Sequence, residues 1–552
     1  MRKQINIITL ALTVIAFSAC EKDLDLSPKD QVSDPAYWKS SADFQLVAND
    51  FYFSLLEAPQ YIDRNSDIAF ESSPNEVSNG SYLVSANNYE WDKSYEFIRS
   101  TNYMLMKAEE SGLGEEIDRW VGEALFFRAY NYWNLVKKYG GVPKITVVLD
   151  VNSPELYSRK SSQSEIIDFI LEDIDKAIDK LPLQSELTSD ELGRTTRGAA
   201  LALKARVALY QGTWAKFRGE ANANSYLDKA IDAAEKVVAS NEYGLFKNKG
   251  IESYKYLFIL EGDDSNEVLL ARRYYYSQWV THNWTRELWF NAMVPTKNMA
   301  DMYLATDGLP ITKSPIFKGY DELASEFENR DPRMEMTFIV PGSSIFFEGG
   351  IWQVTYPGFV GTNATLTGYM LRKFLGEDLN STHFRAEYDF KEFRYGEVLL
   401  ILAEALYEKN EYISDTNLER TINELRKRVN MPGLTNSFAT AHGLNMQEEI
   451  RRERTVELAF EGYRREDLRR WKTAETVLPQ SLKGVKFVGT EYQARYPTLR
   501  PGIDIQVDAD GFMVIDPASA RKFVSPKHYL DPIPSQQVQL SKGTLDQNEG
   551  WQ

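Results

Sequence analysis

Between Arg119 and Tyr139 the chain reads RWVGEALFFRAYNYWNLVKKY, which sets Val121, Leu125, Phe126, Ala129, Trp133 and Val136 three or four residues apart. That spacing lays one apolar stripe along a helix, and such a helix needs a partner to cover it. Gly140, Gly141 and Pro143 stop it, because glycine caps a helix end and proline cannot continue one. The same constraint recurs along the chain. SEIIDFILEDIDKAIDKLP begins at Ser164, a candidate N-cap, and ends at Pro182; TRGAALALKARVALYQG begins near Thr196; SYLDKAIDAAEKVVAS covers 225–240. Alanines at 199, 200, 202, 205 and 208 leave little bulk, so neighbouring helices can approach closely. After a long interval, FRYGEVLLILAEALYEKN (393–410) and NLERTINELRKRVNMPG (417–433) make another pair. Helix pairs of about 34 residues, none able to bury its apolar face alone, are the pattern of tetratricopeptide-like repeats. The expected fold is mostly α, a tetratricopeptide-like helical repeat scaffold with degenerate, non-contiguous repeats and a large irregular α+β insertion.

The insertion, 241–390, has β-rich runs such as EVLLARRYYY (267–276) and RMEMTFIVPG (333–342), with turn signals at Asp307-Gly308 and Gly349-Gly350. The tail beyond about 480 is irregular, with one hairpin signal at Asp510-Gly511 between IQV and FMVI. Irregular loops on a rigid scaffold are where binding residues usually lie.

The N-terminus explains a second oddity, one cysteine in 552 residues. Arg2 and Lys3, an apolar stretch from Ile5 to Phe17, and Ser18-Ala19 before Cys20 form the three-part layout of a secretory signal peptide. The apolar run is too short for a membrane span. FSAC resembles the lipobox of bacterial lipoproteins, which implies cleavage before Cys20 and lipidation of its thiol. Without a disulfide the fold rests on its core alone, sufficient in a chain of this size. The net charge of −17 makes nucleic acid an unfavourable partner. His282, His383, His442 and His528 lie far apart in sequence, so no metal site is read.

IRRERTVELAFEGYRREDLRRW (450–471) resembles the signature helix of SusD/RagB-type outer-membrane lipoproteins of the Bacteroidetes. EALFFRAYNYWNLVKKYGGVP (123–143), TTRGAALALKARVALY (195–210), FRYGEVLLILAEAL (393–406), INELRKRV (422–429) and YLDPIPSQQVQLSKGTLDQNEGW (529–551) resemble further blocks of that family in the same order. The resemblance divides the chain into a signal peptide (1–19), a lipidated tether (20–40), an N-terminal SusD-like region with helical repeats (41–240), a variable ligand-binding insertion (241–390) and a C-terminal SusD/RagB region (391–552). It implies a cell-surface protein, anchored in the outer membrane by lipid on Cys20, that binds a glycan or oligosaccharide. It also implies delivery to a SusC-like TonB-dependent transporter, and no catalytic activity. Some members take peptides or other nutrients, so the ligand does not carry over.

The residues offer three candidate sites. RRYYYSQWVTHNWTRELWF (272–290) supplies Trp279, Trp284, Trp289 and Tyr276, with Gln278, His282, Asn283 and Arg286 among them. Sugar rings pack their C–H faces on aromatic rings while their hydroxyls bond polar groups at the rim. In a strand, Tyr274 and Tyr276 share one face and Tyr275 the other, so one set is core. The polar stretch before the first repeat supplies Asp67, Glu71, Tyr82, Asn87, Asn88 and Tyr89, in a loop where family members often place binding residues. Trp91, Tyr95, Ile98 and Asn102 fall on one helical stripe and belong to the scaffold. Trp352 and Tyr356 are a third, weaker group.

Glu453 and Glu457, one turn apart, invite a glycosidase reading, but Arg451, Arg452, Arg454, Arg464 and Arg465 crowd them. Cations lower carboxyl pKa values, which suits an ion-pair network and not a general acid. No residue is assigned a catalytic role. No cofactor is expected. A structural calcium ion has no support from spacing, since DADG (508–511) lacks the later glutamate of a calcium loop.

Overall fold

The computed structural model describes residues 37–58, 62–354, 358–359 and 364–551; Cys20, the leader and Tyr356 lie outside the described residues. The scaffold runs through α1 (Ser41–Phe51), α2 (Tyr89–Ser111), α3 (Asp118–Tyr139), α4 (Gln163–Lys180), α5 (Arg197–Arg218) and α6 (Ala223–Ser240). Consecutive helices from α2 to α6 pack side by side. The short connections 112–117 and 219–222 turn α3 back along α2 and α6 back along α5, while the longer segments 140–162 and 181–196 link α4 to its neighbours. α3 is buried on more than the expected stripe: Phe126, Phe127, Ala129, Tyr130, Tyr132 and Val136 all lie in the core. It is the central helix, packed against both α2 and α4. Its end is the predicted one, with Gly140 at φ 67°. The cap of α4 is Ser162 and not Ser164: the Ser162 hydroxyl accepts the Glu165 N–H, and the Glu165 carboxylate accepts from Ser162 in return. The small residues of α5 have the expected role. A Cβ on Gly212 would stand 2.9 Å from Leu227, so α6 lies against bare backbone.

Beyond the insertion the helices are α8 (Tyr395–Asn410), α9 (Ile422–Arg428), α10 (Met446–Glu457) and α11 (Arg464–Arg470), with α7 (Trp284–Trp289) inside it. Two stretches read as single helices are broken. The run 417–433 splits at Arg420–Thr421, where Thr421 leaves helical geometry at ψ −95°. The run 450–471 is α10 and α11 joined by a turn in which Phe460 and Gly462 take φ of 62° and 87°.

The strands form antiparallel pairs: β1 (Ala69–Phe70) with β3 (Val294–Pro295), β2 (Val268–Arg272) with β6 (Phe390–Arg394), β4 (Ser344–Phe347) with β5 (Gly350–Gln353), and β7 (Leu482–Lys486) with β8 (Phe512–Asp516). RMEMTFIVPG, read as β-rich, starts instead with a helical turn over Arg333–Thr337. The Asp510-Gly511 turn returns the chain only as far as a Val507–Met513 bridge, and β8 takes β7 as its main partner.

Two large cores result. One fills the scaffold; the other lies under the insertion and draws Val456, Phe460, Val485, Phe487 and Met513 from the C-terminal region. The insertion therefore shares its interior with the C-terminal region.

A buried ion-pair network joins these parts. Glu457 accepts from Arg333 (3.0 Å), Arg394 (2.8 Å) and Arg428 (2.5 Å); Glu453 accepts from Arg426 (2.7 Å) and pairs with Arg333 (2.7 Å). Arg394 also reaches Glu267 and Glu461, and Lys373 holds Glu461 at 2.7 Å. Burial opposes ionisation of Glu453 and Glu457, but the facing arginines outweigh it and hold both below the usual carboxylate range. Carboxylates kept ionised in this way cannot donate a proton as a general acid.

Asp63 is the opposite case. It is buried, and burial pushes its pKa up to about 7 although the Gly462 N–H (2.8 Å) and Arg464 N–H (3.3 Å) oppose the rise. A folded pKa above the unfolded carboxyl value means that the native state holds the extra proton between about 4 and 7. Stability contributed by Asp63 is present below that window and is lost as pH rises through it. Asp389, raised by burial and by neighbouring Asp263, titrates in the same direction. The Asp63 part is isolated by comparing wild type with Asp63→Asn in urea titrations from pH 4 to 8. The variant is expected to show a shallower loss of stability with rising pH, and identical slopes would refute the assignment.

Candidate ligand-binding site

The 272–290 run leaves β2 and divides into three parts with different fates. Tyr274 is buried; its N–H donates to Asp389 (2.9 Å) and its hydroxyl accepts the Ala58 N–H (2.8 Å). The chain then makes a tight turn closed by reciprocal backbone hydrogen bonds between Tyr275 and Val280. At its tip Trp279 takes φ 59° and is 74% exposed. An exposed tryptophan in the left-handed region costs free energy and is held there by its surroundings. Tyr276 lies beside it, ring centroids 5.5 Å apart and planes 53° apart. The Tyr276 hydroxyl accepts from Arg385 (3.0 Å) and its N–H donates to Glu387 (2.8 Å), which fixes the ring from the 383–387 segment.

That segment is brought alongside by a backbone bridge between His282 and Ala386. His282 is an internal strut. Its Nε2 donates to the Tyr388 carbonyl (3.0 Å), its Nδ1 accepts the Trp284 N–H (3.2 Å), and burial pushes its pKa down to about 4.

α7 faces inward. Trp284 is 1% exposed and packs on Phe374, so it presents no face to a ligand and belongs to the core. Trp289 is nearly buried and stacks on Phe347 at 4.3 Å, while Trp352 on β5, 6.5 Å from Trp289, is 55% exposed. Asn283 donates to Glu287 and is committed there (2.8 Å). Arg286 pairs with Glu348 at the β4–β5 turn (2.7 Å) and lies over the ring of Phe384, 4.6 Å from its centroid. Phe384 is exposed. A surface thus runs from Tyr276 and Trp279 through Arg385 and Phe384 to Arg286 and Trp352. Phe384 and Arg385 were not read from the sequence; an aromatic-arginine pair inside the polar run STHFRAEY was the signal available.

The second candidate group is dispersed. Asp67 is buried and holds Arg464 by two hydrogen bonds (2.8 and 3.0 Å), so it is a structural anion and not a rim group. Tyr82 packs against Trp551 (4.9 Å) and His528 (5.4 Å) and directs its hydroxyl at Asp531. Asn87 is exposed, its carbonyl taking the Ser85 hydroxyl; Asn88 caps α2. Glu71 is engaged by Arg64 and Asn75. Tyr89 is exposed and stands at the mouth of a cavity of about 450 Å³ between α2, α3, α5 and α11. No hydrogen bond or ring contact joins this group to the 276–289 surface among the described residues. Trp91 is buried against Tyr139 (5.0 Å), as a scaffold residue should be. No cluster of histidine, cysteine and carboxylate that could hold a metal occurs among the described residues, and none of their helices is long and apolar enough to cross a membrane.

Comparison with known proteins bears on the family and the fold. Residues 260–551 match the model of the SusD family, and residues 41–209 match one described as starch-binding associating with outer membrane. SusD-like protein P38 of Formosa agariphila is 25% identical over 514 residues, covering 87% of this chain and 94% of that protein. A SusD-like carbohydrate binding protein from Bacteroides fragilis superposes with a TM-score of 0.75 at 25% identity, covering 91% of this chain and 98% of that one. A SusD homolog from Bacteroides thetaiotaomicron, at 19% identity, shares the fold with a TM-score of 0.67, covering 95% and 100% of the two chains. With one family model spanning more than half its length, from β2 to the C-terminal tail, the chain belongs to the SusD family.

Proposed function

We propose that this chain is a non-catalytic lipoprotein of the outer cell surface, tethered through Cys20, that captures an extracellular glycan and passes it to a SusC-like TonB-dependent transporter. The observation that carries the reading is the exposed ring of Trp279 beside the half-buried Tyr276, held by a closed turn and flanked by Arg385, Phe384, Arg286 and Trp352. Rings of this kind stack on sugar C–H faces while guanidinium and backbone groups meet hydroxyls. Family membership, and the match of residues 41–209 to a family described as starch-binding, support carbohydrate as the ligand class. The pairing of Glu453 and Glu457 with arginines supports capture without hydrolysis.

The test is native affinity electrophoresis of the wild-type protein through gels containing a panel of soluble polysaccharides. Retardation by at least one of them, with no shortening of that chain on prolonged incubation, is the expected result. Migration unchanged in every gel would overturn the glycan reading, and released oligosaccharides would overturn the non-catalytic one. Cys20→Ala is expected to move the protein from the membrane to the soluble fraction in cells lacking the transporter; continued membrane retention there would refute the anchor.

A further inference from the structure

The cavity behind Tyr89 has features that the aromatic surface does not need. Its volume of about 450 Å³ lies within the range of small-molecule pockets, roughly 300–1,000 Å³. Most of the charged side chains around it are paired: Lys138 with Glu90, Arg206 with Glu392 and Glu397, Arg465 with Asp531, Arg470 with Glu404. Two are not. Among the described residues no hydrogen bond or ion pair reaches the ammonium of Lys137 on α3, and the buried Oε2 of Glu466 on α11 has no partner. The two face the same space without pairing with each other. Burial pushes the Lys137 pKa down, with Glu466 and Glu392 opposing it from across the cavity. The Tyr210 hydroxyl, which also lines the cavity, is likewise buried without a partner, while the lining residues Asn134 and Glu392 turn toward the buried Tyr130 hydroxyl.

A partly desolvated cation and anion that miss each other are costly, and a group that joins them recovers part of that cost. A ligand with one positive and one negative end does so with two charge-assisted hydrogen bonds, and a further polar atom can meet the Tyr210 hydroxyl. We propose that this cavity is a second binding site, separate from the aromatic surface, for a small zwitterion of amino-acid size. The carboxylate of such a ligand pairs with Lys137 and its ammonium with Glu466.

The experiment is a thermal-shift screen of the mature protein with millimolar free amino acids, each beside its N-acetyl amide, which has the same side chain and neither terminal charge. At least one free amino acid is expected to raise the melting temperature while its blocked form does not, a contrast that needs no variant to fold. Calorimetry with that amino acid on Lys137→Met and Glu466→Gln should show affinity lower by about tenfold or more in each. Trp279→Ala should leave it unchanged, which separates this site from the glycan surface. Absence of a shift with every free amino acid would mean that the cavity holds only water, and would overturn the proposal. Equal shifts from blocked and free forms, or unaltered affinity in both charge variants, would overturn it as well.

Discussion

Glu457→Ala is expected to lower the free energy of unfolding by about 3–5 kcal/mol, the cost of leaving buried guanidinium groups without their counter-ion. Arg333, Arg394 and Arg428 converge on this one carboxylate, and none of the three side chains is exposed to water that could replace it. Chemical denaturation followed by circular dichroism measures the effect; a midpoint unchanged from wild type would show that the network contributes nothing. The pH dependence has a definite sign. Because the folded pKa of Glu457 is depressed, its stabilisation is fully present above the unfolded glutamate value of about 4.3 and disappears as pH falls through the folded value. Glu404, held down to about 2 by Arg470 and Arg454 against the opposing effect of burial, loses its contribution in the same direction. Glu457→Ala should therefore lie closest to wild type in strong acid and differ most at neutral pH.

The second large effect separates two tryptophans five residues apart. Trp279→Ala should reduce glycan affinity by about thirtyfold, the scale of losing an interfacial aromatic anchor, with little change in stability. Trp284→Ala should lower stability by about 3–5 kcal/mol through the cavity it leaves against Phe374. Affinity gels and denaturation curves on both variants decide the matter. If Trp279→Ala destabilises the fold and leaves binding intact, the surface has been misassigned.

These two residues also show what a sequence can and cannot reveal. In α3 the spacing of Phe126, Ala129, Trp133 and Val136 and the stop at Gly140 identify a helix and its end, because a long helix repeats its packing signal over several turns. Between Tyr274 and Trp289 a strand exit, a tight turn and a two-turn helix follow within sixteen positions, too few for any period to register. Aromatic content there marks importance without direction, and direction divides Trp279 from Trp284. Asp67 was hidden for another reason. Its polar neighbours look like a surface loop, yet its partner Arg464 is 397 residues away along the chain, and no local pattern encodes so distant a pairing. The ion-pair character of Glu453 and Glu457 was readable because both signs crowd one stretch, but the partners were not: Arg451, Arg452, Arg454, Arg464 and Arg465 pair with Glu408, Glu449, Asp467, Asp67 and Asp531, and the cations that meet the two glutamates are Arg333, Arg394, Arg426 and Arg428.

The turn that carries Trp279 is closed at its base by Tyr275 and Val280, and Arg333 and Lys373 tie the insertion that bears it into the ion-pair network. In the proposed glycan site, anchoring by Tyr275 and Val280 and recognition by Trp279 would thus reside in different residues a few positions apart. The six residues from Tyr275 to Val280 are in that sense an interchangeable cassette. A change of side chain at the tip leaves the two backbone hydrogen bonds that close the turn in place.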